Sequence, residues 1–255
     1  MIPKVVPPLI DLSVLVTRPA QQAESLCTLI EQSGGKAIRF PTIGIEPQSA
    51  PRAEHCDLVI FASTNAVEHG WRLLAPNPHM KVAAIGKATA AALKAVNIAV
   101  HYVPDAGFTS EALIAHPELT LAPGMQALIV RGEGGREFLR TELTSRGLSV
   151  QTREVYRRVQ PAIDPETRDA LEREWAEGGV DIVTLTSVAT LDHLREMLSE
   201  RGRKLLETTP VLVVSERIRE AARSANLQGT ILVAPAADDA SIVGTLENWH
   251  ARARG

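Results

Sequence analysis

The stretch Asp57-Leu-Val-Ile-Phe-Ala-Ser-Thr-Asn-Ala-Val-Glu-His-Gly70 constrains this chain more than any other. The apolar run from Leu58 to Ala62 reads as a strand buried on both faces. Three small polar residues, Ser63, Thr64 and Asn65, follow it and open a helix. A strand that ends in hydroxyls and turns into a helix places backbone N–H groups at the carboxyl edge of a parallel sheet. The pattern returns as Asp181-Ile-Val-Thr-Leu-Thr-Ser-Val-Ala-Thr-Leu-Asp-His-Leu194. Two such units predict two sheets whose polar edges face one ligand.

The repetition extends well beyond these units. Leu128-Ile-Val-Arg131 repeats Leu15-Val-Thr-Arg18 at an offset of 113 residues, and Glu137, Leu139, Thr141 and Gly147 fall on Glu24, Leu26, Thr28 and Gly34 at the same offset. Pro161 answers Pro47, Asp181 answers Asp57 and Pro235 answers Pro104 at growing offsets, as loop insertions in one copy would produce. An internal duplication of a βαβ-rich half is the plainest account. Between the signposts lie an irregular proline-rich lead over residues 1–11 and a short strand at Ser13–Thr17. A helix over Gln21–Ser33 stops at Gly34-Gly35. Strands are expected at Lys81–Ile85 and Ala99–Val103, and helices opening at Gly86-Lys-Ala-Thr89 and Thr109-Ser110-Glu111. Strands alternating with helices of this length predict an α/β fold, two doubly wound parallel-sheet lobes with helices on both faces. The extended runs Lys36–Pro47 and Ser149–Pro161 occupy equivalent places in the two copies and are expected to pair as an antiparallel ribbon.

Length and composition agree with this. The 255 residues suffice for one large domain or two of about 110–130 residues. A hydrophobic content of 45% with 22% charged residues is that of an ordinary globular protein. The net charge of −3 gives no global basic field for nucleic acid. Cys27 and Cys56 show neither CxxC nor metal-ligand spacing and read as reduced thiols. No signal-peptide core and no membrane-length apolar run is present. The expectation is a cytoplasmic protein without nucleic-acid or membrane partners.

Several constellations carry chemistry. Arg131-Gly-Glu-Gly-Gly-Arg136 lies between a strand and a helix. It lacks the endings of nucleotide and dinucleotide loops, which weighs against a nucleotide-dependent Rossmann enzyme. Gly132 and Gly134 let backbone N–H groups approach a ligand, and Arg131 and Arg136 suit carboxylates. An ordinary glycine-rich turn with solvated arginines accounts for the same letters. Ser63, Thr64, Asn65, Thr186 and Ser187 each serve as ordinary helix caps; their recurrence at equivalent places is what suggests a site. The Asp238-Asp239 pair reads as a cap before Ser241. Neither a nucleophile elbow nor a zinc motif is present. Tyr156, in Val155-Tyr-Arg-Arg158, reads either as a core amphiphile or as a hydroxyl directed into a cleft. Trp71, Trp175 and Trp249 read as packing residues.

With these residues in place, the chain resembles the uroporphyrinogen-III synthase family over nearly its whole length. The resemblance rests on Val14-Leu-Val-Thr-Arg-Pro19, Phe40-Pro-Thr-Ile43, Phe61-Ala-Ser-Thr-Asn-Ala-Val67, Ala84-Ile-Gly-Lys-Ala-Thr89, Val155-Tyr-Arg-Arg158 and Thr184-Leu-Thr-Ser187, in that order and spacing. It implies a two-lobed monomeric enzyme without cofactor or metal, with a ligand cleft between lobes joined by a two-stranded linker. One lobe would comprise residues 1–41 with 159–255 and the other 42–158, the linker strands falling at about 36–47 and 149–161. The implied reaction takes hydroxymethylbilane, a linear tetrapyrrole with eight carboxylates. Its hydroxyl leaves as water, the far ring attacks through its substituted carbon, and a spiro intermediate reopens and closes with ring D inverted. The product, uroporphyrinogen III, belongs to haem biosynthesis.

The resemblance assigns the proton donor to Tyr156. Substrate contacts fall on Ser63 with Thr64 and Asn65, on Thr89 with Gly86 and Lys87, and on the second-copy counterparts Thr186 and Ser187. Thr17, Arg18 and the Arg131, Gly132, Gly134, Arg136 loop complete the expected polar edge. One motif departs from the pattern: the second Gly-x-x-Thr reads Ser215-Glu-Arg-Ile218, leaving Ser215, Arg217 or backbone to take over. The rival expectation is a non-catalytic two-lobed binding module for an anionic small molecule, which glycine turns and hydroxyl caps would serve equally well.

Overall fold

A computed structural model describes residues 7–75 and 77–254. The first six residues of the expected irregular lead lie outside the described residues. Its second half is tied down: Leu9 is fully buried and its N–H donates to the Ser33 carbonyl at 2.8 Å.

The chain divides into two units. One is made of the chain up to Gly44 together with Val159 onward, and the other of Ile45–Arg158. The first unit holds strands β1 (Ser13–Val16), β2 (Lys36–Arg39), β8 (Ile182–Leu185), β9 (Val211–Val213) and β10 (Ile231–Val233). Their order in the sheet is β10-β9-β8-β1-β2, parallel throughout. The second unit is built on β3 (Gly44–Pro47), β4 (Leu58–Phe61), β5 (Lys81–Ala84), β6 (Gln126–Gly132) and β7 (Ser149–Val159), in the order β3-β7-β6-β4-β5. All of its pairs from β7 to β5 are parallel. Taking the strands of the first sheet as they occur along the chain, the order is the doubly wound 2-1-3-4-5. The second sheet has the same order if β6 and β7 stand for the first two strands and β4 and β5 for the next two.

Each unit is therefore assembled from half of each sequence copy. The strands β1 and β2 of the first copy join β8–β10 of the second, while β6 and β7 of the second copy join β4 and β5 of the first. The seams are built alike. At one, the Asp181 carboxylate accepts the Ser13 N–H at 2.7 Å and the Asp181 N–H donates to the Ser13 carbonyl at 2.9 Å. At the other, Asp57 accepts the Gln126 N–H at 2.8 Å and returns its own N–H to the Gln126 carbonyl at 2.9 Å. The aspartate that opens each repeated motif is a seam residue.

Alternation along the strands sends side chains to two cores per unit. In the second unit Val59, Phe61, Leu128 and Val130 point to one face, where α2 (Thr64–Gly70) and α3 (Lys87–Ala95) cover them with Val67 and Leu93. Leu58, Ile60, Ala127 and Ile129 point to the other, under Leu113 of α4 (Ser110–Ile114) and Leu143 of α5 (Phe138–Ser145). In the first unit Leu15, Val183 and Val211 face α6 (Pro165–Glu174), α7 (Val188–Met197), α8 (Glu200–Thr208) and α9 (Glu216–Ser224). Val14, Val16 and Ile182 face α1 (Ala20–Gln32) and α10 (Asp239–Arg254). Among the described residues no helix is long and apolar enough to cross a membrane.

Two expected elements take a different form. The run Lys36–Pro47 is two strands, of which β2 joins β1 in parallel and only β3 meets β7. Glu46 pairs with Arg157 and the Gln48 N–H donates to the Val155 carbonyl, so β3 and β7 run antiparallel. Both are sheet strands, and β7 also pairs with β6. The strand expected over Ala99–Val103 shrinks to a single bridge between Ala83 and Tyr102. There the His101 imidazole Nδ1 accepts the Val82 N–H at 3.1 Å, taking a donor that a continuous ladder would use.

The seam geometry yields a stability expectation. Asp181→Ala removes a charge-assisted acceptor from the partly buried Ser13 N–H and should cost about 1.5–3 kcal/mol in urea unfolding. Asp57→Ala, at the more exposed counterpart, should cost less. The reverse ranking, or no loss at Asp181, would contradict the seam role.

Candidate functional site

In a doubly wound sheet, ligands bind beyond the carboxyl ends of the strands where the strand order reverses. In the second unit that point lies between β4 and β6, and a pocket of about 220 Å³ occupies it. Ser63, Arg131, Gly132, Gly134, Arg136 and Tyr156 all line it. Residues far apart in sequence are thus brought together. The volume is below the ~300–1,000 Å³ of a pocket that encloses a whole drug-sized ligand. It suits one substituted ring or one end of a larger molecule.

Tyr156 is a core residue whose side chain also lines the pocket. Its ring is 3% exposed and packs in the core under α2, while its hydroxyl lies 3.1 Å from the Ser63 hydroxyl. Ser63 is in turn fixed as the N-cap of α2, accepting the Ala66 N–H at 3.0 Å. The strand β7 reaches this position through an irregularity: Arg131 is level with Glu154, but Gly132 is level with Tyr156. The Glu133 N–H donates to the Tyr156 carbonyl at 2.8 Å and secures the shifted register. A side chain at Gly132 would place Cβ 2.5 Å from Cζ and 2.9 Å from the hydroxyl of Tyr156. That glycine makes room for the tyrosine, a role the loop motif did not disclose. Gly134 has the left-handed φ of 69° that its turn requires.

The arginines are more occupied than the sequence suggested. Arg131 donates to the carbonyls of Gly135 and Arg136 at 3.0 and 3.1 Å, and to Glu137 and Glu154 at 2.6 and 3.1 Å. It holds its own loop closed. Arg136 pairs with Glu111. Arg18, the first-copy relative of Arg131, does likewise: it pairs with Asp239 and donates to the Ala237 carbonyl, at 9% exposure. Thr17 is fully buried and donates its hydroxyl to the Thr184 carbonyl, so it is a seam residue rather than a ligand contact. Asp238 caps α10 by accepting from Ser241, which shifts its carboxyl below the usual range, as the cap reading required.

The other expected residues sit at carboxyl edges without reaching this pocket. Thr64 and the buried Asn65 belong to the first turn of α2. Gly86 caps α3, followed by the exposed Lys87 and the buried Thr89. The Lys87 ammonium lies 5.6 Å from the centre of the Phe108 ring. In the first unit Thr186 follows β8, and Ser187 caps α7 by accepting the Thr190 N–H at 3.0 Å. Ser215 caps α9, with Arg217 exposed in its first turn. Ile218, where the threonine pattern breaks, is 2% exposed in the core. Sequence reasoning passed over Arg158, Glu133 and Ser110, which also line the pocket. Arg158 stood within a quoted motif, and its place two residues after Tyr156 on one strand was the available signal.

Among the described residues, no group of three or more His, Cys, Asp or Glu side chains is placed to hold a metal ion. Burial pushes the thiols of Cys27 and Cys56 up, which keeps them protonated and poorly nucleophilic.

The Gly132 contact can be checked by stability measurements. Gly132→Ala forces the Tyr156 ring to move and should destabilise by about 1–3 kcal/mol. Gly244→Ala, in the open on α10, should instead stabilise by about 0.5–1 kcal/mol. Equal effects at the two sites would contradict a close approach at Gly132.

Comparison with known proteins converges on one family. The family model described as Uroporphyrinogen-III synthase HemD matches residues 24–244. Uroporphyrinogen-III synthase of Escherichia coli strain K12 is 33% identical over 250 residues, covering 92% of this chain and 100% of that protein. The Salmonella typhimurium uroporphyrinogen-III synthase is 35% identical over 251 residues, with the same coverage of 92% and 100%. A crystal structure of a uroporphyrinogen III synthase variant from the extremely thermophilic bacterium Thermus thermophilus aligns with a TM-score of 0.55 at 22% identity, covering 94% of this chain and 99% of that one. At that identity the likeness speaks to the fold. With a matching family model and relatives aligned over their full lengths, the chain belongs to the uroporphyrinogen-III synthase family.

Proposed function

We propose that this protein cyclises hydroxymethylbilane to uroporphyrinogen III with loss of water, and that Tyr156 is the group that donates the proton. The observation that carries the assignment is the Tyr156 hydroxyl, held 3.1 Å from Ser63 on the wall of the switch-point pocket. General acid catalysis needs a hydroxyl fixed where the leaving oxygen can reach it. The Tyr156 ring is locked by packing, and Ser63 is locked as a helix cap, so the phenol is pre-oriented.

The proposed step balances without a helper. The Tyr156 O–H bond breaks as the hydroxymethyl C–O bond breaks, and water leaves. The pyrrole nitrogen supplies the electron pair that stabilises the methylene carbon as an azafulvenium. Ser63 donates to the phenolate that remains. The far ring attacks through its substituted carbon, the spiro intermediate fragments and recloses, and the proton lost on ring closure returns to the phenolate. In this reading Ser63 positions Tyr156 and is not itself a carboxylate contact. Within the same unit, backbone N–H groups behind Gly86 on α3 suit carboxylates of the substrate. The protein is proposed to act as a cytoplasmic monomer, with neither nucleic acid nor membrane as partner.

The direct test is incubation with enzymatically generated hydroxymethylbilane, followed by oxidation and separation of the uroporphyrin isomers. The wild-type chain should give isomer III; isomer I at the uncatalysed rate would refute the proposal. Tyr156→Phe keeps the buried ring and should retain the melting temperature. Its turnover should fall by up to ~10²–10⁴-fold, with product shifting towards the isomer I that forms spontaneously. Full activity with pure isomer III would remove Tyr156 from the mechanism. Activity should also survive exhaustive chelation and desalting. A requirement for added metal or nucleotide would overturn the cofactor-free reading.

A further inference from the structure

We propose that Arg158 is the carboxylate anchor of the Tyr156 pocket, binding a side-chain carboxylate of the ring whose hydroxymethyl group faces the phenol. The inference rests on the reading above, and it follows from how the pocket's charges are spent. Three guanidinium groups line the pocket. Arg131 is consumed by two loop carbonyls and by Glu137 and Glu154. Arg136 is paired with Glu111. The one carboxylate on the wall, Glu133, accepts the Gln48 amide at 2.6 Å. Among the described residues, the exposed Arg158 side chain is the one of these three guanidinium groups with neither an ion pair nor a hydrogen bond.

Its position on β7 gives it a direction. Residues two apart on a strand lie on the same side, so Arg158 shares a side with Tyr156, while Arg157 alternates away. The structure shows this difference: Arg157 pairs with Glu46 on β3 at 2.7 Å, whereas Arg158 joins the pocket wall. A planar guanidinium can take a carboxylate through two parallel N–H bonds, which fixes orientation as well as charge. A ring clamped in this way beside the phenol would hold its hydroxymethyl oxygen against Tyr156. Arg158 is in this sense a positioning residue, since the bond that breaks belongs to Tyr156.

The test compares Arg158→Gln, Arg158→Lys and Arg157→Gln in the full chain. Two readouts are used: steady-state formation of uroporphyrinogen III, and titration with uroporphyrin III, a stable octacarboxylate, followed by its fluorescence. Arg158→Gln should raise KM about 10- to 100-fold, the effect of losing a charge-assisted pair, and weaken uroporphyrin binding in parallel. Its share of isomer I should rise, because a loosely held ring recloses in the wrong sense more often. Arg158→Lys should recover part of the affinity but less of the isomer ratio, since an ammonium supplies charge without the fork. The melting temperature should not move, as Arg158 has no partner to lose. Unchanged KM, binding and isomer ratio in Arg158→Gln would overturn the proposal. Equal losses in Arg157→Gln would do the same, reducing the effect to general charge. A wild-type chain that binds uroporphyrin without turning over hydroxymethylbilane would refute the catalytic reading, and the binding comparison would still decide Arg158.

Discussion

The pairing of strands across the two sequence copies is the constraint on which the rest of the structure depends. Strands β1, β8 and β4 and the middle of β6 are almost completely buried and carry backbone groups that must find partners away from water. A β1-α1-β2 segment satisfies only one edge of β1; its other edge needs β8, which lies far along the chain. The same holds for β6, which needs β4. Neither half-repeat can close a sheet with its own sequence neighbours. Each unit becomes a complete doubly wound sheet because the first half of one copy meets the second half of the other.

The candidate site is a consequence of this seam. The reversal of strand order, and with it the crevice, falls where the two copies meet in the second unit. Ser63 comes from the first copy, and Gly132 and Tyr156 from the second. Their hydroxyl-to-hydroxyl contact exists only once β4 has paired with β6 and β7 has followed β6 through its register shift. Folding the sheet and assembling the Ser63–Tyr156 pair are one event. The pocket inherits the rigidity of a packed core rather than the mobility of surface loops.

The duplicated skeleton has been put to different uses in its two copies. Arg18 and Arg131 occupy equivalent places, and both tie down local backbone and carboxylates. Thr89 and Ile218 also occupy equivalent places, but Ile218 has joined the core beneath α9. No tyrosine occurs in residues 36–47, the counterpart of the stretch that contains Tyr156. The polar switch-point pocket with a phenol is thus a property of the second unit, built on a fold that both units share. Fold symmetry therefore does not extend to chemistry, as is usual for sites grafted onto common architectures.

Much of this was legible from the sequence, because local physics leaves periodic marks. The buried strands at Leu58 and Ile182, the serine caps of α2 and α7, and the duplication itself all follow from hydrophobic runs and punctuation that need no distant contact to be read. The prominence of Tyr156 and Ser63 was visible too, through motifs carried over from a family. Charge pairing was not legible. Arg18, Arg131 and Arg136 looked available for a ligand until tertiary structure supplied Asp239, Glu154 and Glu111 from elsewhere in the chain. Thr17 looked like an edge hydroxyl until β8 covered it. The split of Lys36–Pro47 between two sheets was equally hidden, since an extended run carries no label naming the strand it will pair with. Sequence by itself determined most of the elements, their order and the residue types at the polar edges. Tertiary structure decided which of those residues remain unspent, because a side chain's chemistry depends on partners that folding brings to it from other parts of the chain.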